Sequence, residues 1–80
     1  MSLVELTEMI VKSLVKDPDS ISVKEFDEEE NVIIEVMVPE TEMGSVIGKD
    51  GKIANSIRTV VQASSYLKDN KRVRININSF

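Results

Sequence analysis

The residues with the clearest chemical potential lie in one short stretch, residues 46–52, with the sequence VIGKDGK. The chain contains only three glycines, and two of them, Gly48 and Gly51, lie here, three positions apart. A lysine follows each glycine, Lys49 and Lys52. Because glycine has no Cβ, its backbone can approach a partner closely, and lysine adds a point charge for phosphate. We therefore expect this loop to bind an anionic ligand.

The loop does not match the nucleotide-binding motifs that also combine glycine with lysine. A P-loop has four residues between its glycines, then Lys and a Ser or Thr that holds magnesium, and it follows a buried strand. Only three residues separate Gly44 from Gly48, and Asp50 takes the place of the Ser or Thr. The G-x-G-x-x-G pattern of dinucleotide-binding loops is also missing. The predicted anion is therefore not a nucleotide bound by either motif.

The remaining side chains offer little for catalysis. The chain contains no histidine and no cysteine, which removes the commonest general base, disulfides, thiolate chemistry and most metal sites. No pair of carboxylates can be placed together at one site from the sequence. The sequence thus predicts a binding protein and not an enzyme, with no catalytic residues, no cofactor and no metal site.

Size and hydropathy place these residues in one small domain without a membrane segment. The chain has 80 residues and is 41% apolar, which suits a single domain, residues 1–80, with one modest core. The first apolar segment is interrupted by Glu5, Glu8 and Lys12, and no stretch approaches the roughly 18 apolar residues of a spanning helix. We expect a cytoplasmic protein with no membrane partner.

The charge of the chain is distributed unevenly. The net charge is −4 at pH 7, which by itself argues against a nucleic-acid partner. Residues 1–40 carry −8, however, whereas residues 41–80, which contain the glycine loop, carry +4. Such asymmetry indicates that the basic half lines a polyanion site while the acidic half faces solvent.

The elements that must position the loop follow from hydrophobic periodicity. The predicted elements are a helix at 2–16, strands at 21–26 and 32–38 joined by a turn at 27–31, a two-turn helix ending at Gly48, a helix at 52–67 and a strand at 72–78. A hairpin followed by a helical crossover makes the last strand parallel to the second. We therefore predict an α+β fold, α-β-β-α-α-β, with three helices on one face of a three-stranded mixed sheet.

Helical spacing and strand alternation predict which side chains face the core. In the last strand, Arg72 and Arg74 point away from the helices and are expected to be solvated. The predicted core stripe of the long helix, widened by Ala54 and Val61, consists of Ile53, Ile57, Val60, Ser64 and Leu67. At the margins of this stripe, Val60, Val61 or Leu67 is expected to remain exposed and to favour self-association.

With these elements placed, the sequence resembles a known family. The segment VIGKDGKIANSIRTVVQA, with G-x-x-G between two helices, resembles the core of a KH domain. The α-β-β-α-α-β order resembles the type II version of that fold. The length, the lead-in MIVKSLVKDPDSISV and the closing KRVRININ resemble one bacterial family in particular, the small single-KH RNA-binding proteins of the KhpA or YlqC-like group. The resemblance extends over essentially the whole chain.

The resemblance implies a ligand and a set of contact residues. It implies single-stranded RNA as the partner, in RNA metabolism or post-transcriptional regulation, with the backbone of about four nucleotides clamped by the G-x-x-G loop. Carried over onto this sequence, the clamp consists of Gly48, Lys49, Asp50 and Gly51. An apolar groove for the bases then consists of Val46, Ile47, Ile53 or Ala54, and Ile57. Lys52 and Arg58 lie on or near the path of the RNA backbone.

Two residues depart from the family pattern. Ala54 stands where many KH domains have a large aliphatic residue, which predicts a shallower or shifted groove floor. Asp50 places a negative charge inside the clamp, where it is expected to face solvent or to cap the next helix. Both departures predict modest affinity and a loose sequence preference.

The resemblance also implies protein partners. The family is similar in forming homodimers and in pairing with a larger KH protein of the Jag or KhpB type. A core of 80 residues is marginal on its own, which also favours association. A protein-interaction or adaptor role that depends on homo- or heterodimers is therefore the alternative to RNA binding as the main function.

Overall fold

The computed structural model describes residues 1–80 and has the predicted order of elements. The main elements are α1 (Leu3–Leu14), β1 (Ser22–Asp27), β2 (Asn31–Val38), α2 (Met43–Ile47), α3 (Lys52–Lys68) and β3 (Arg72–Ser79). Short 3₁₀ turns lie at Pro18–Ser20, Glu40–Glu42 and Lys49–Gly51. The glycine loop thus joins the short helix α2 to the long helix α3, as predicted.

The strand β2 lies in the centre of a three-stranded sheet with the order β1-β2-β3. β1 pairs with it in antiparallel and β3 in parallel, so that Val36 lies opposite Val23 on one side and Ile77 on the other. This confirms the mixed sheet, because a hairpin reverses the chain direction whereas the crossover through α2 and α3 restores it. β1 and β3 are the two edge strands.

The helices cover one face of the sheet, and the core lies between the two layers. The core-facing side chains of β2 pack against α1, α2 and α3, and the fully buried members of this core are Val11, Ile34, Val36, Val38, Val46 and Val61. On the opposite face of the sheet, Phe26 of β1 is 52% exposed beside its cross-strand partner Ile33.

No helix has the length and hydropathy that a membrane crossing requires.

A capping box begins α1. The Ser2 hydroxyl accepts a hydrogen bond from the Glu5 N–H at 3.1 Å, and the Glu5 carboxylate accepts one from the Ser2 N–H at 3.0 Å. These bonds stabilise the charged carboxylate and lower the pKa of Glu5. One turn further, Thr7 is fully buried because its hydroxyl donates to the Leu3 carbonyl at 2.8 Å. Local hydrogen bonds thus fix the start of α1.

The core stripe of α3 differs from the predicted one. Its buried residues are Ala54, Ile57, Val61 and Ser65, whereas Val60 is 49% and Leu67 is 89% exposed. Ser65 lies in the core because its hydroxyl donates to the Lys71 carbonyl at 2.7 Å, which satisfies the polar group. The predicted stripe is wrong in its C-terminal half, where Ser65 and not Leu67 is buried. A pattern of apolar residues cannot predict burial of a serine that depends on a hydrogen bond to another element. The predicted exposure of marginal apolar residues is confirmed for Val60 and Leu67, and Val61 is buried.

A buried carboxylate fixes the segment that leads into α2. Glu42 is only 9% exposed, and its two carboxylate oxygens accept the N–H groups of Lys16 and Asp17 at 2.8 and 3.1 Å. These N–H groups lie just beyond the C-terminal end of α1. The carboxylate therefore connects the end of α1 to the start of α2 and helps to set the position of the glycine loop.

Candidate nucleic-acid interface

The glycine loop has a backbone conformation that glycine adopts easily and most residues do not. Gly48 has φ 76° and ψ 174°, Gly51 has φ 74° and ψ 13°, and Asp50 between them has φ 57° and ψ 25°. Aspartate tolerates the left-handed region better than most residues. A Cβ on Gly48 would lie 2.5 Å from Cγ1 of Ile53, whereas a Cβ on Gly51 would meet nothing closer than 4.0 Å. The backbone conformation therefore favours glycine at both positions, and at Gly48 the close packing of Ile53 also excludes a larger side chain.

This backbone leaves two adjacent N–H groups free at the tip of the loop. The Gly48 N–H donates to the Gly44 carbonyl at 2.9 Å, and the Gly51 N–H donates to the Gly48 carbonyl at 3.2 Å. The N–H groups of Lys49 and Asp50 have no hydrogen-bond partner, and both residues are exposed. Successive free N–H groups in a turn form a concavity that binds anions. The following helix α3, 17 residues long, adds the positive end of its dipole.

The side chains of the loop carry free charge. Lys49 and Lys52 are exposed, and neither takes part in the two ion pairs of the structure, Lys12–Glu8 and Lys71–Asp27. Asp50 is exposed as well, and no side chain caps the N-terminus of α3. Of the two positions predicted for the Asp50 carboxylate, the structure has the one that faces solvent. The loop therefore offers two cations, one anion and two free N–H groups.

The predicted groove residues divide between the core and the surface. Val46, Ala54 and Ile57 are buried, whereas Ile47 and Ile53 are half-buried beside the loop. Ile53 and the edge of Ile57 border an open depression of about 300 Å³ between α1 and α3, whose other lining residues are Ile10, Leu14, Lys52, Ser56 and Val60. Ile47 and Ile53 thus supply most of the apolar surface close to the loop, and Ile57 supports it mainly from the core.

Arg58 lies on the other side of α3, at the free edge of β3. Its Nε donates to the Ile75 carbonyl at 3.4 Å, and its Nη1 donates to the Asn55 side-chain oxygen at 3.1 Å. The Asn55 amide in turn lies 4.0 Å from where a Cβ on Gly51 would stand. A polar path therefore leads from the loop through Asn55 and Arg58 to β3. The structure separates Arg58 from the depression that Ile53 and Lys52 border.

Sequence reasoning misses two polar residues of this region, Asn55 and Gln62. The Gln62 side chain accepts the Val73 N–H at 2.9 Å and donates to the Lys71 carbonyl at 3.0 Å. It therefore occupies backbone groups of β3 that no neighbouring strand pairs. Gln62 connects α3 to β3, and no local sequence signal indicates that these two distant segments meet. Asn55 bonds to Arg58 within α3 and thereby holds the side chain that reaches β3.

Fold and loop together define the class of protein to which this chain belongs. An α-β-β-α-α-β domain with a G-x-x-G turn between two helices is a type II KH domain. More particularly, the chain belongs to the KhpA/KhpB KH-domain family, whose family model matches residues 4–77. The family and the fold predicted from the sequence are confirmed.

Two curated relatives show how fully the similarity extends. The chain is 49% identical over 73 residues to the RNA-binding protein KhpA of Clostridium perfringens, which covers 91% of this chain and 96% of that protein. It is 38% identical over 73 residues to the RNA-binding protein KhpA of Thermotoga maritima, and this match covers 91% of this chain and 95% of that protein. The similarity therefore spans nearly the full length of both relatives.

Two solved structures share the fold at low sequence identity. Era in complex with MgGDPNP and nucleotides of 16S ribosomal RNA has a TM-score of 0.68 and 20% identity, and the match covers 96% of this chain and 29% of that chain. Aquifex aeolicus Era bound to GDP and AlF4⁻ has a TM-score of 0.71 and 20% identity, with 98% and 30% coverage. This chain spans less than a third of either Era chain, so the likeness concerns the fold alone.

Proposed function

We propose that this protein binds single-stranded RNA through the backbone of its glycine loop, as part of RNA metabolism or post-transcriptional regulation. The observation that carries the proposal is the pair of free, adjacent N–H groups at Lys49 and Asp50, next to two lysines without a carboxylate partner. The curated relatives are named as RNA-binding proteins, which supports RNA among the possible anions and a binding role over an enzymatic one.

In the proposed complex the loop holds phosphates and the surfaces beside it receive bases. The N–H groups of Lys49 and Asp50 donate to phosphate oxygens, while Gly48 and Gly51 keep the loop in the conformation that exposes them. Lys49 and Lys52 add Coulombic attraction, which makes the affinity depend on salt. The exposed Asp50 carboxylate repels phosphate and keeps the affinity modest.

The bases of the clamped nucleotides contact aliphatic surface close to the loop. Ile47 and Ile53 offer part of their side chains, and Ile57 supports this surface from the core. Arg58 keeps one guanidinium nitrogen free beyond its bonds to Asn55 and Ile75, and we assign that nitrogen to the RNA backbone. Aliphatic surface lacks the hydrogen-bond pattern that distinguishes bases, so a loose sequence preference follows.

Fluorescence-anisotropy titration of a short degenerate single-stranded RNA tests the clamp. The test variant is Lys49→Gln/Lys52→Gln, and the matched control is Lys12→Gln/Lys16→Gln, which removes the same charge from α1 and the segment after it. For single strands each phosphate contact contributes about 0.7 to the slope of log affinity against log salt. We expect the loop variant to lose about 1.4 of that slope and the control to retain it. Equal slopes in the native protein and the loop variant would refute the clamp.

A second candidate function is that of a protein-interaction module. The depression between α1 and α3 favours it, because it is open and mainly apolar, with Val60 49% and Leu14 36% exposed on its rim. In this role the depression receives a second copy of the chain or a larger KH protein of the Jag or KhpB type, and RNA affinity is incidental. The same apolar surface near Ile53 is then buried by a partner and not by bases.

Sedimentation analysis distinguishes the two candidates. Val60→Glu places a charge on the rim of the depression, whereas Ala63→Glu places the same charge at an exposed position of α3 outside it. If association is the main function, Val60→Glu yields monomers, Ala63→Glu leaves the native association state, and the loop variant associates normally. A native protein that is monomeric at micromolar concentration would exclude the homodimer.

A further inference from the structure

The two edges of the sheet differ in how their backbone groups are used. At the outer edge of β3, the Gln62 side chain bonds to the Val73 N–H and the Lys71 carbonyl. The Arg58 guanidinium takes the Ile75 carbonyl of the same edge. At the outer edge of β1, no side chain and no further strand bonds to the backbone. An edge strand with unpaired N–H and C=O groups is a template for an added strand, so β1 is the edge that remains open to one.

The register of the hairpin shows which groups of β1 face this open edge. The Glu28 N–H donates to the Asn31 carbonyl at 2.8 Å, so these residues form a hydrogen-bonded pair next to the turn. Bonded and non-bonded pairs alternate along an antiparallel ladder. The next bonded pairs of the hairpin are therefore Phe26–Ile33, Lys24–Glu35 and Ser22–Met37. The backbone N–H and C=O groups of Val23, Glu25 and Asp27 then point away from β2 and have no partner.

The side chains of β1 define what an added strand must offer. Val23, Glu25 and Asp27 share the helix-covered side of the sheet, whereas Lys24 and Phe26 lie on its open side. The Glu25 carboxylate is exposed and belongs to neither ion pair of the structure, and Phe26 is 52% exposed. An added strand gains most from a cation opposite Glu25 and an apolar side chain opposite Phe26. These two positions are adjacent in the added strand, which predicts that its basic and apolar residues alternate.

A second copy of β1 does not meet these requirements. Two edge strands related by a two-fold axis run antiparallel in one sheet, and residues opposite one another share a face. Two registers of this kind join most of each strand, one centred on Lys24 (residues 22–26) and one centred on Glu25 (residues 23–27). They set Lys24 against Lys24 of the second copy, or Glu25 against Glu25 of the second copy, and like charges directly opposite are destabilising. The charges of β1 thus disfavour self-pairing and favour a strand of complementary charge.

We propose that an extended segment of a partner protein, in which basic and apolar residues alternate, adds to the sheet as a fourth strand beside β1. The outward groups of Val23, Glu25 and Asp27 offer three donors and three acceptors over about 13 Å. In strand addition, main-chain hydrogen bonds supply affinity and alternate side chains supply specificity. This edge shares no residue with the glycine loop, so the partner and the anionic ligand of that loop can bind together.

Amide NMR of the isotope-labelled protein tests the added strand with a defined peptide. The probe is the end-capped peptide Lys-Ile-Lys-Glu-Val, which in antiparallel orientation places its two lysines opposite Asp27 and Glu25. Its isoleucine then lies opposite Phe26 and its glutamate opposite Lys24. The control is the same peptide with N-methyl groups on both lysines and the valine, which keeps the charge and removes the donors that face β1.

Two variants provide the matching test on the protein side. Glu25→Pro removes one outward N–H and spares the bonds to β2, because an edge strand accepts proline where the N–H faces solvent. Glu25→Gln keeps that N–H and removes only the charge. Circular dichroism of both variants checks that the fold is retained.

The expected result has a period of two residues. At a peptide concentration of about nine times the Kd, hydrogen exchange of the Val23, Glu25 and Asp27 amides slows about tenfold, because an amide bonded to the peptide does not exchange. The Lys24 and Phe26 amides already bond to β2 and keep their rates. Glu25→Gln weakens the binding and retains the alternating pattern. The methylated peptide with native protein, and either peptide with Glu25→Pro, gives no protection.

Three outcomes would overturn the proposal. The first is the absence of protection by the unmodified peptide. The second is equal protection by the methylated peptide, which would reduce the contact to charge attraction. The third is protection of the same amides by a higher protein concentration without peptide, which would make a second copy the occupant. Because the methylated peptide is used with native protein, the comparison remains decisive even if Glu25→Pro does not fold.

Discussion

Gly48→Ala is the substitution whose effect the structure defines most sharply, with Gly51→Ala as its matched control. Both glycines have positive φ, 76° and 74°. They differ in their surroundings, because a Cβ on Gly48 would lie 2.5 Å from Cγ1 and 2.9 Å from Cβ of Ile53, whereas a Cβ on Gly51 meets open space up to 4.0 Å. The two variants therefore differ both in ψ, 174° against 13°, and in the space around the added Cβ.

The magnitudes follow from these two effects. At Gly51 the left-handed conformation alone destabilises alanine by about 1–2 kcal/mol. At Gly48, φ 76° with ψ 174° belongs to a region that is essentially restricted to glycine, which costs about 1–3 kcal/mol. The overlap with Ile53 involves its branch point and not a flexible tip, so a shift of α2 against α3 adds about 1–3 kcal/mol. We expect a loss of about 2–6 kcal/mol for Gly48→Ala, which is a large part of the stability of a small domain.

Urea denaturation followed by circular dichroism measures both losses. The expected order of decreasing stability is native protein, then Gly51→Ala, then Gly48→Ala. The double variant Gly48→Ala/Ile53→Ala provides the control, because Ile53→Ala removes Cγ1 and Cδ1 of Ile53 and leaves only its Cβ near the added methyl group. Gly48→Ala should therefore destabilise the Ile53→Ala protein less than it destabilises the native protein. Equal destabilisation by Gly48→Ala and Gly51→Ala would refute the packing argument and leave only the φ requirement.

Two further substitutions test the elements that hold the loop in place. Glu42→Gln leaves one of the Lys16 and Asp17 N–H groups without its carboxylate oxygen, so we expect a loss of about 1–3 kcal/mol by urea denaturation; a change within 0.5 kcal/mol would mean that solvent replaces the bond. Ser2→Ala removes the cap of α1, with an expected loss of about 1 kcal/mol near neutral pH. Because the pKa of Glu5 is lowered in the folded protein by its bonds to Ser2, that contribution is present above the unfolded-state pKa and is lost as pH falls through the folded-state pKa. Glu5→Gln removes this carboxylate, so the difference in stability between Glu5→Gln and the native protein should shrink in acid. A constant difference would contradict the role of the Glu5 carboxylate.

Most of the secondary structure can be predicted from local patterns. The β-branched alternation of β2 and the glycine pair after α2 predict those elements closely, and the crossover rule predicts the parallel pairing of β3. The α3 stripe is predicted less well, because Ser65 is buried through a bond to Lys71 and Leu67 projects into solvent. Burial of a serine depends on an acceptor from another element, which no helical pattern includes.

The candidate site, like the secondary structure, could be predicted from the sequence only in part. The sequence by itself determined the loop, because glycines at 48 and 51 accept the positive φ of a tight turn at little cost, and because charged lysine side chains in a short loop remain exposed. Only the tertiary structure decided that Ser65 lies in the core, that Arg58 lies across α3 from Ile53, and that Gln62 bonds to the free edge of β3. Those relations depend on how α3 is rotated against β3. That rotation is set by the packing of the whole core, to which distant residues contribute jointly and which no single segment specifies.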